Sequence, residues 1–215
     1  MTKICSKSPS RRGDADDAPE KDSDGKDEKV MGSGLEARLF DQRKVLVFGE
    51  ISDKVARSVT ANLLALAGAN DRPIDILVNS PGGHVESADT IHDVIRFVDA
   101  AAPVRMVGTG WVASAGALVF LAAQRNRRFC LPNTRFLLHQ PMGGVRGPAT
   151  DIDIEAREII KMRERINRII ARETGQDYSR IERDTDRNYW MGADEAIAYG
   201  MAAKIITSAK ELALN

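Results

Sequence analysis

Apolar residues in this chain follow two alternating rhythms. Lys44 to Phe48, Ile74 to Val78, Val104 to Val107 and Arg135 to Leu138 are short, β-rich runs. Brief runs this apolar suit strands buried in a parallel sheet. Between them, apolar positions recur every three or four residues. Val55, Val59, Leu63 and Leu66 share one face of a helix that Ser52 can cap and that runs to about Ala67. Ala88, Ile91, Ile95 and Val98 mark a second helix, from about Glu86 to Asp99. The apolar run Ala115 to Ala123 marks a third. Strand and helix in this alternation predict βαβ crossovers and a largely parallel sheet. Open α/β sheets gather function at the carboxyl ends of their strands.

The longest periodic stretch comes later. Thr150 is expected to cap it, with acidic residues in its first turn. Ile152, Ala156, Ile159, Ile166 and Ile169 or Ile170 keep a helical period to about Arg172, and Gly175 ends it. About 22 residues at ~1.5 Å each make a rod of roughly 33 Å. Its polar side is dense in Arg, Lys and Glu. Asp177 to Asp186 predicts a shorter helix, Met191 to Gly200 a capped helix with a glycine stop, and Lys204 to Thr207 a closing strand. Folded structure is expected to begin near Leu35. Residues 1 to about 33 read as a disordered tail: Arg11 to Lys29 is crowded with charge and glycine and has almost no large apolar side chain to offset ordering entropy.

Composition narrows the function. A chain of 215 residues suffices for one substantial core. Formal net charge is zero, so neither a nucleic-acid binder nor a membrane-surface binder is indicated. There are two cysteines, Cys5 in the polar tail and Cys130 in an apolar stretch, so no disulfide framework is expected. No secretory h-region opens the chain and no apolar stretch is long enough to span a bilayer. A soluble, cytoplasmic protein is expected. Three scattered histidines lack metal-ligand spacing and there is no phosphate-binding loop, so neither metal nor cofactor is expected. His92 is expected to face solvent or to cap a contact. His84 neighbours a glycine loop and is a candidate for lining a substrate groove.

The chemistry gathers between Gly108 and Gly144. The strand Val104 to Val107 runs into Gly108-Thr109-Gly110, and Ser114 then stands among alanines and glycines at the head of an apolar helix. A strand-to-helix turn that exposes a nucleophile has this form, although a serine capping a buried helix has it too. The helix N-terminus suits a developing oxyanion. His139 closes the strand Arg135 to Leu138, and histidine is the usual base for a serine near neutral pH. Asn79-Ser80-Pro81-Gly82-Gly83 follows the strand Ile74 to Val78 and makes a second backbone-exposing loop.

Taken together, Asn79 to Gly83, Gly110 to Ala117 and Arg128 to Gly144 resemble the proteolytic subunit of the Clp protease, a self-compartmentalised serine peptidase. The similarity continues through Gly147 to Ile160 and Ile181 to Arg187 and covers about residues 36 to 207. The resemblance implies an α/β fold: the ClpP/crotonase-like spiral of βαβ units with a long protruding handle helix, the handle being about residues 141 to 173. The alternative is a helix packed on its own subunit. It implies Ser114 as nucleophile, His139 as base, and Gly83 and Ala115 as oxyanion donors through their N–H groups. Peptide would bind along Gly82 and Gly83 and along a Met142-Gly143-Gly144 strand. Partners implied are unfolded polypeptides or peptides, further subunits in a heptameric ring stacked as a tetradecamer, and an AAA+ Clp unfoldase that would use ATP. The tail would be a propeptide, or else a solvated extension.

Two departures from the family pattern stand out. The third triad position, usually Asp, is Asn188. An amide oxygen can hold a histidine tautomer but supplies no negative charge. Reduced activity is expected, and Asp184, four residues earlier, is a candidate for partial rescue. The positions where the family often carries docking tyrosines are Asp75 and Leu77. The sequence therefore favours a weak serine endopeptidase. The alternative is a largely inactive structural or regulatory subunit of a mixed ring. A crotonase-type acyl-CoA enzyme is a third reading, against which the residues from His139 to Gly144 speak. Trp111 and Trp190 are expected to pack near the site.

Overall fold

A computed structural model describes residues 34–214, so the expected tail of residues 1–33 lies outside the described residues. A helical segment, α1 (residues 34–41), leads into β1 (Lys44–Phe48). Then come α2 (Asp53–Ala69), β2 (Ile74–Ser80), α3 (Val85–Val98), β3 (Val104–Ala113) and α4 (Ala115–Phe120). The remainder is β4 (Arg128–Cys130), β5 (Arg135–Leu138), α5 (Ala149–Thr174), α6 (Tyr178–Asp184), β6 (Tyr189–Met191), α7 (Ala193–Tyr199) and β7 (Lys204–Ile205). The βαβ rhythm read from the sequence is present.

The sheet runs β1-β2-β3-β4-β7, all parallel, and β3 is its hinge. This strand is longer than its sequence run predicted, because two different neighbours continue it. Met106 to Gly108 pair with β4, and Trp111 to Ala113 pair with β5. A kink separates the two halves. The register with β2 shifts between Val78 and Ser80, and Gly110 takes φ +57°. Asn79 Oδ1 accepts the Trp111 N–H at 3.1 Å there, and a Cβ on Gly110 would lie 2.9 Å from that same oxygen. Beyond β5, β6 adds an antiparallel edge.

The core lies between this sheet and its helices. Ala56, Val59, Leu63 and Leu66 of α2 and Ala88, Ile91, Ile95 and Val98 of α3 are buried on it. Each such Leu, Ile or Val contributes about 1.5–3 kcal/mol when fully removed from water. All six residues of α4 are buried, as expected of a helix that is apolar all round. His92 joins this core instead of facing solvent: it is 2% exposed and its Nε2 has no hydrogen-bond partner. Its position repeats the helical period of Ala88 and Ile95. Burial pushes its pKa down, so it packs as a neutral ring.

Helix α5 has 26 residues and spans ~39 Å. Its N-cap is Pro148 and not Thr150, which lies inside the first turn. Proline has no N–H to leave unpaired there, and its fixed φ suits a helix start. Gly175 ends the helix in the left-handed conformation, at φ +75°. The apolar stripe is buried only towards the end, at Ile166 and Ile170. Ile152, Ile154 and Ile160 are exposed. The last expected elements are shorter than drawn from sequence: Asp177 is the N-cap of α6, and β7 ends at Ile205. Among the described residues no helix is long and apolar enough to cross a membrane.

Arg43 fastens α2 to the sheet. Its guanidinium donates to the carbonyl oxygens of Leu66, Asn70, Arg72 and Pro73, at 2.8 to 3.3 Å. These acceptors are orphan carbonyls at and after the end of α2, where the helix dipole favours a cation. Arg43→Ala is expected to cost about 2–4 kcal/mol, since one buried and three part-buried carbonyls lose their donor at once. Arg43→Lys should recover little of this, because one ammonium cannot span four carbonyls. Urea midpoints at fixed protein concentration measure both, and a lysine variant as stable as the wild type would contradict this role.

Candidate active site

The sheet register brings three residues from distant parts of the chain to one edge. The last registered pair of β3 and β5 is Ala113 with Leu137, and the Ser114 N–H donates to the Leu137 carbonyl at 2.9 Å. In the antiparallel β5–β6 pair, Leu138 lies opposite Tyr189. One step beyond these pairs stand Ser114, His139 and Asn188. Adjacent strands lie ~4.8 Å apart, so topology alone makes the three near neighbours. Ser114 and His139 line one cavity, walled by Val85, Leu118, Ile166 and Ile170. His139 and Asn188 line a second, more open hollow with Gln140, Met142 and Asp186.

Ser114 has a backbone that ordinary residues avoid. Its φ is +54° and ψ −122°, and it forms the N-cap of α4. Such a conformation costs about 1–3 kcal/mol and persists where the surroundings impose it. The surroundings here are two glycine contacts. A Cβ on Gly82 would sit 2.7 Å from Ser114 Cβ, and one on Gly116 would sit 2.9 Å from Ser80 Cβ. The loop after β2 therefore lies flat against the serine turn. The Ser80 hydroxyl accepts from the Gly82 N–H at 3.1 Å and helps to shape that loop.

Two main-chain donors are left over at this junction. Gly83 pairs with Ile51 through its neighbours: Ile51 N–H donates to Gly82 O at 2.8 Å, and His84 N–H donates to Ile51 O at 2.9 Å. The Gly83 N–H finds no acceptor among the described residues, nor does that of Ala115 in the first turn of α4. Gly83 has φ +141°, and a Cβ there would lie 2.3 Å from Ile51 O.

His139 Nδ1 lies 2.7 Å from the Gln140 carbonyl oxygen. A carbonyl only accepts, so Nδ1 carries a proton, and in the neutral ring that leaves the lone pair on Nε2. The Nδ1 partner is thus a backbone carbonyl and not the Asn188 amide. Among the described residues no hydrogen bond joins His139 to Asn188 or to the Ser114 hydroxyl. Gln140 pins the turn before β6: its N–H donates to Thr185 O at 2.6 Å and its side chain to Asp186 O at 2.8 Å. Thr185 in turn donates to Asn167 of α5 at 3.1 Å. Sequence reading missed Gln140, Thr185 and Asn167. Only the position of Gln140, directly after the candidate base, hinted at a role.

Other expectations need correction. Asp184 is engaged elsewhere: the Tyr199 hydroxyl donates to it at 2.7 Å and Arg180 lies 3.4 Å away. Burial, and then that contact, push the Tyr199 phenol pKa up. Asp184 is therefore not available to the histidine. Met142, Gly143 and Gly144 form no strand within the subunit. Met142 is 81% exposed, and both glycines have open space around them, as a segment without a pairing neighbour would. Trp111 and Trp190 meet edge to face at 6.1 Å, with Arg135 stacked 4.4 Å over Trp190. They stiffen the β3-β5-β6 edge, although Trp111 remains half exposed. Asp75 is paired with Arg105 at 2.7 Å. Leu77 packs in a small apolar cluster with Val107, Phe129, Ile206 and Leu212.

Known proteins resemble this one over nearly its full length. The family model described as Clp protease matches residues 27–209. The ATP-dependent Clp protease proteolytic subunit 2 of Gluconobacter oxydans is 68% identical over 97% of this chain and 95% of its own. The proteolytic subunit 3 of Rhizobium meliloti is 55% identical over 92% and 98%. A solved structure, an asparagine-to-aspartate mutant of ClpP1 from Listeria monocytogenes, superposes with a TM-score of 0.77 at 50% identity. It covers 83% of this chain and 99% of its own. The chain belongs to the Clp protease family.

Proposed function

We propose that this chain is a serine endopeptidase subunit of a Clp-type compartmentalised protease, working through an acyl-enzyme. The observation that carries the reading is the strained Ser114, held at φ +54° in one cavity with His139 and beside two N–H donors unused among the described residues. Ser114 Oγ attacks the peptide carbonyl carbon, and its proton passes to His139 Nε2. The carbonyl oxygen becomes an oxyanion and accepts from the Gly83 and Ala115 N–H groups. The C–N bond then breaks, with His139 returning the proton to the leaving amine. Water repeats the sequence to free the acid. The Ser114–His139 hydrogen bond, absent in the free subunit, forms when substrate excludes water, a common behaviour of catalytic pairs. Val85, Leu118, Ile166 and Ile170 favour an apolar substrate side chain in the cavity. Peptide backbone runs along Gly82 and Gly83 and orders Met142 to Gly144 as an added strand.

Asn188 makes the subunit slow. A neutral third residue leaves the imidazolium without a counter-charge. An Asp-to-Asn change in a serine protease triad costs ~10⁴ in turnover, through the wrong tautomer. Here Gln140 O holds the Nδ1–H and keeps the useful tautomer, so the penalty is nearer ~10²–10³.

The exposed isoleucines of α5 support its reading as a handle between stacked heptameric rings. ATP would be used by an AAA+ unfoldase in the cytoplasm. A second reading, a structural or regulatory subunit in a mixed ring, draws support from Asn188 and from the docking positions. Asp75 is committed to Arg105, and Leu77 lies in the same apolar cluster as Leu212. In such a ring the unfoldase would dock on the other subunit type.

A fluorophosphonate probe should label the wild type and leave Ser114→Ala unlabelled. Ring assembly of an unlabelled wild type, seen by native mass measurement, would favour the second reading. Asn188→Asp should raise kcat on a small peptide by ~10²-fold or more, with little change in KM. An unchanged kcat would remove this account of the third position. Gly82→Ala forces a Cβ against Ser114 at a φ of +112°. It should cut kcat/KM by at least ~10-fold while the assembly persists. Full activity in that variant would mean the loop does not shape the serine turn.

A further inference from the structure

Where α2 and α3 begin, a cluster of side chains stands outside the reaction just described. His84 follows Gly83 and is the N-cap residue of α3. Its Nδ1 lies 2.8 Å from Ser87 Oγ, and Ser87 Oγ lies 2.5 Å from Asp53 Oδ1. Asp53 is the first residue of α2. On the other side of the ring, Nε2 lies 3.0 Å from Glu86 Oε2. The proton positions follow. A carboxylate only accepts, so the Ser87 hydroxyl donates to Asp53, and its oxygen accepts from His84 Nδ1–H. The relay through Ser87 needs only the Nδ1–H, and Glu86 lies at Nε2.

This relay and the main-chain ladder hold the same loop from two sides. Ile51 is bonded to Gly82 and His84 through the backbone. Asp53, two residues on, is bonded to His84 through Ser87. Between the two ties sits Gly83, with its N–H unused among the described residues. Asp53 and Glu86 are exposed, so each ion pair contributes little by itself. Ser87 is 3% exposed, and a hydroxyl fixed in the core gives the relay its direction.

We propose that His84 is a positioning residue for peptide-bond hydrolysis. Through Ser87 and Asp53 it holds the Gly82–His84 loop so that the Gly83 N–H faces the oxygen of the tetrahedral intermediate. This rests on the peptidase reading of Ser114 and His139. The donor itself stays in place when the relay is cut, so the loss is smaller than that from deleting an oxyanion donor. His84→Ala and Ser87→Ala should each lower kcat by about 5- to 20-fold in the full-length assembly, against ~10²–10³ for a deleted donor. KM should stay within about two-fold, because the interaction matures in the transition state. His84→Asn, whose amide nitrogen reaches near the place of Nδ1, should restore most of the loss. The double variant His84→Ala/Ser87→Ala should be no slower than either single one, since one relay is cut once.

A second measurement does not need turnover. Amide hydrogen exchange at Ile51 and His84 should quicken in both alanine variants. Unchanged kcat, unchanged exchange, or losses that simply add in the double variant would each overturn the inference. A wild type that neither labels at Ser114 nor cleaves peptide would instead remove the peptidase reading, and with it the proposed role. Exchange then tells whether the tether exists without the chemistry.

Discussion

The site depends on β3 changing neighbours halfway along its length. A strand can pair on each side with only one partner at a time, yet β3 meets β4 first and β5 afterwards. The kink at Gly110, with Asn79 filling the gap, makes this possible. Without it, β5 would not lie beside the serine turn, and His139 and Asn188 would end elsewhere. Ser114, His139 and Asn188 are placed by main-chain pairing that begins at that handover.

Close approach is the second constraint, and glycine is how the chain meets it. Gly82 and Gly116 let the loop after β2 and the first turn of α4 touch at distances a side chain would forbid. The contact holds Ser114 at a positive φ that side chains rarely adopt, and the strain persists because α4 is buried on all sides. Ser114 caps that helix, so the positive end of its dipole lies at the serine. Packing, strain and electrostatics act here as one device.

Much of this was legible in the residues. The apolar runs and periods locate β1, β2, β5, α2 and α3 within a residue or two, because buried strands and amphipathic helices carry strong patterns. Ser114, His139 and Asn188 were legible as a set through family resemblance, and the sheet brings them to one edge. What failed did so for tertiary reasons. His92 reads as polar, but α3 turns it inward. Thr150 has the right chemistry for a cap, yet Pro148 starts the helix first. Asp184 is adjacent in sequence, but Tyr199 and Arg180 claim it. The Nδ1 partner of His139 is a carbonyl, and every residue has one, so no sequence pattern could single it out.

The bare isoleucines at the start of α5 have a further consequence. A rod with exposed Ile152, Ile154 and Ile160 is a sticky surface on a newly made subunit. On the handle reading proposed above, association with like surfaces would cover it, whereas wandering alone would leave it open to stray aggregation and to degradation. The lifetime of an orphan subunit is then set by how quickly it meets its companions, more than by how firmly it is folded.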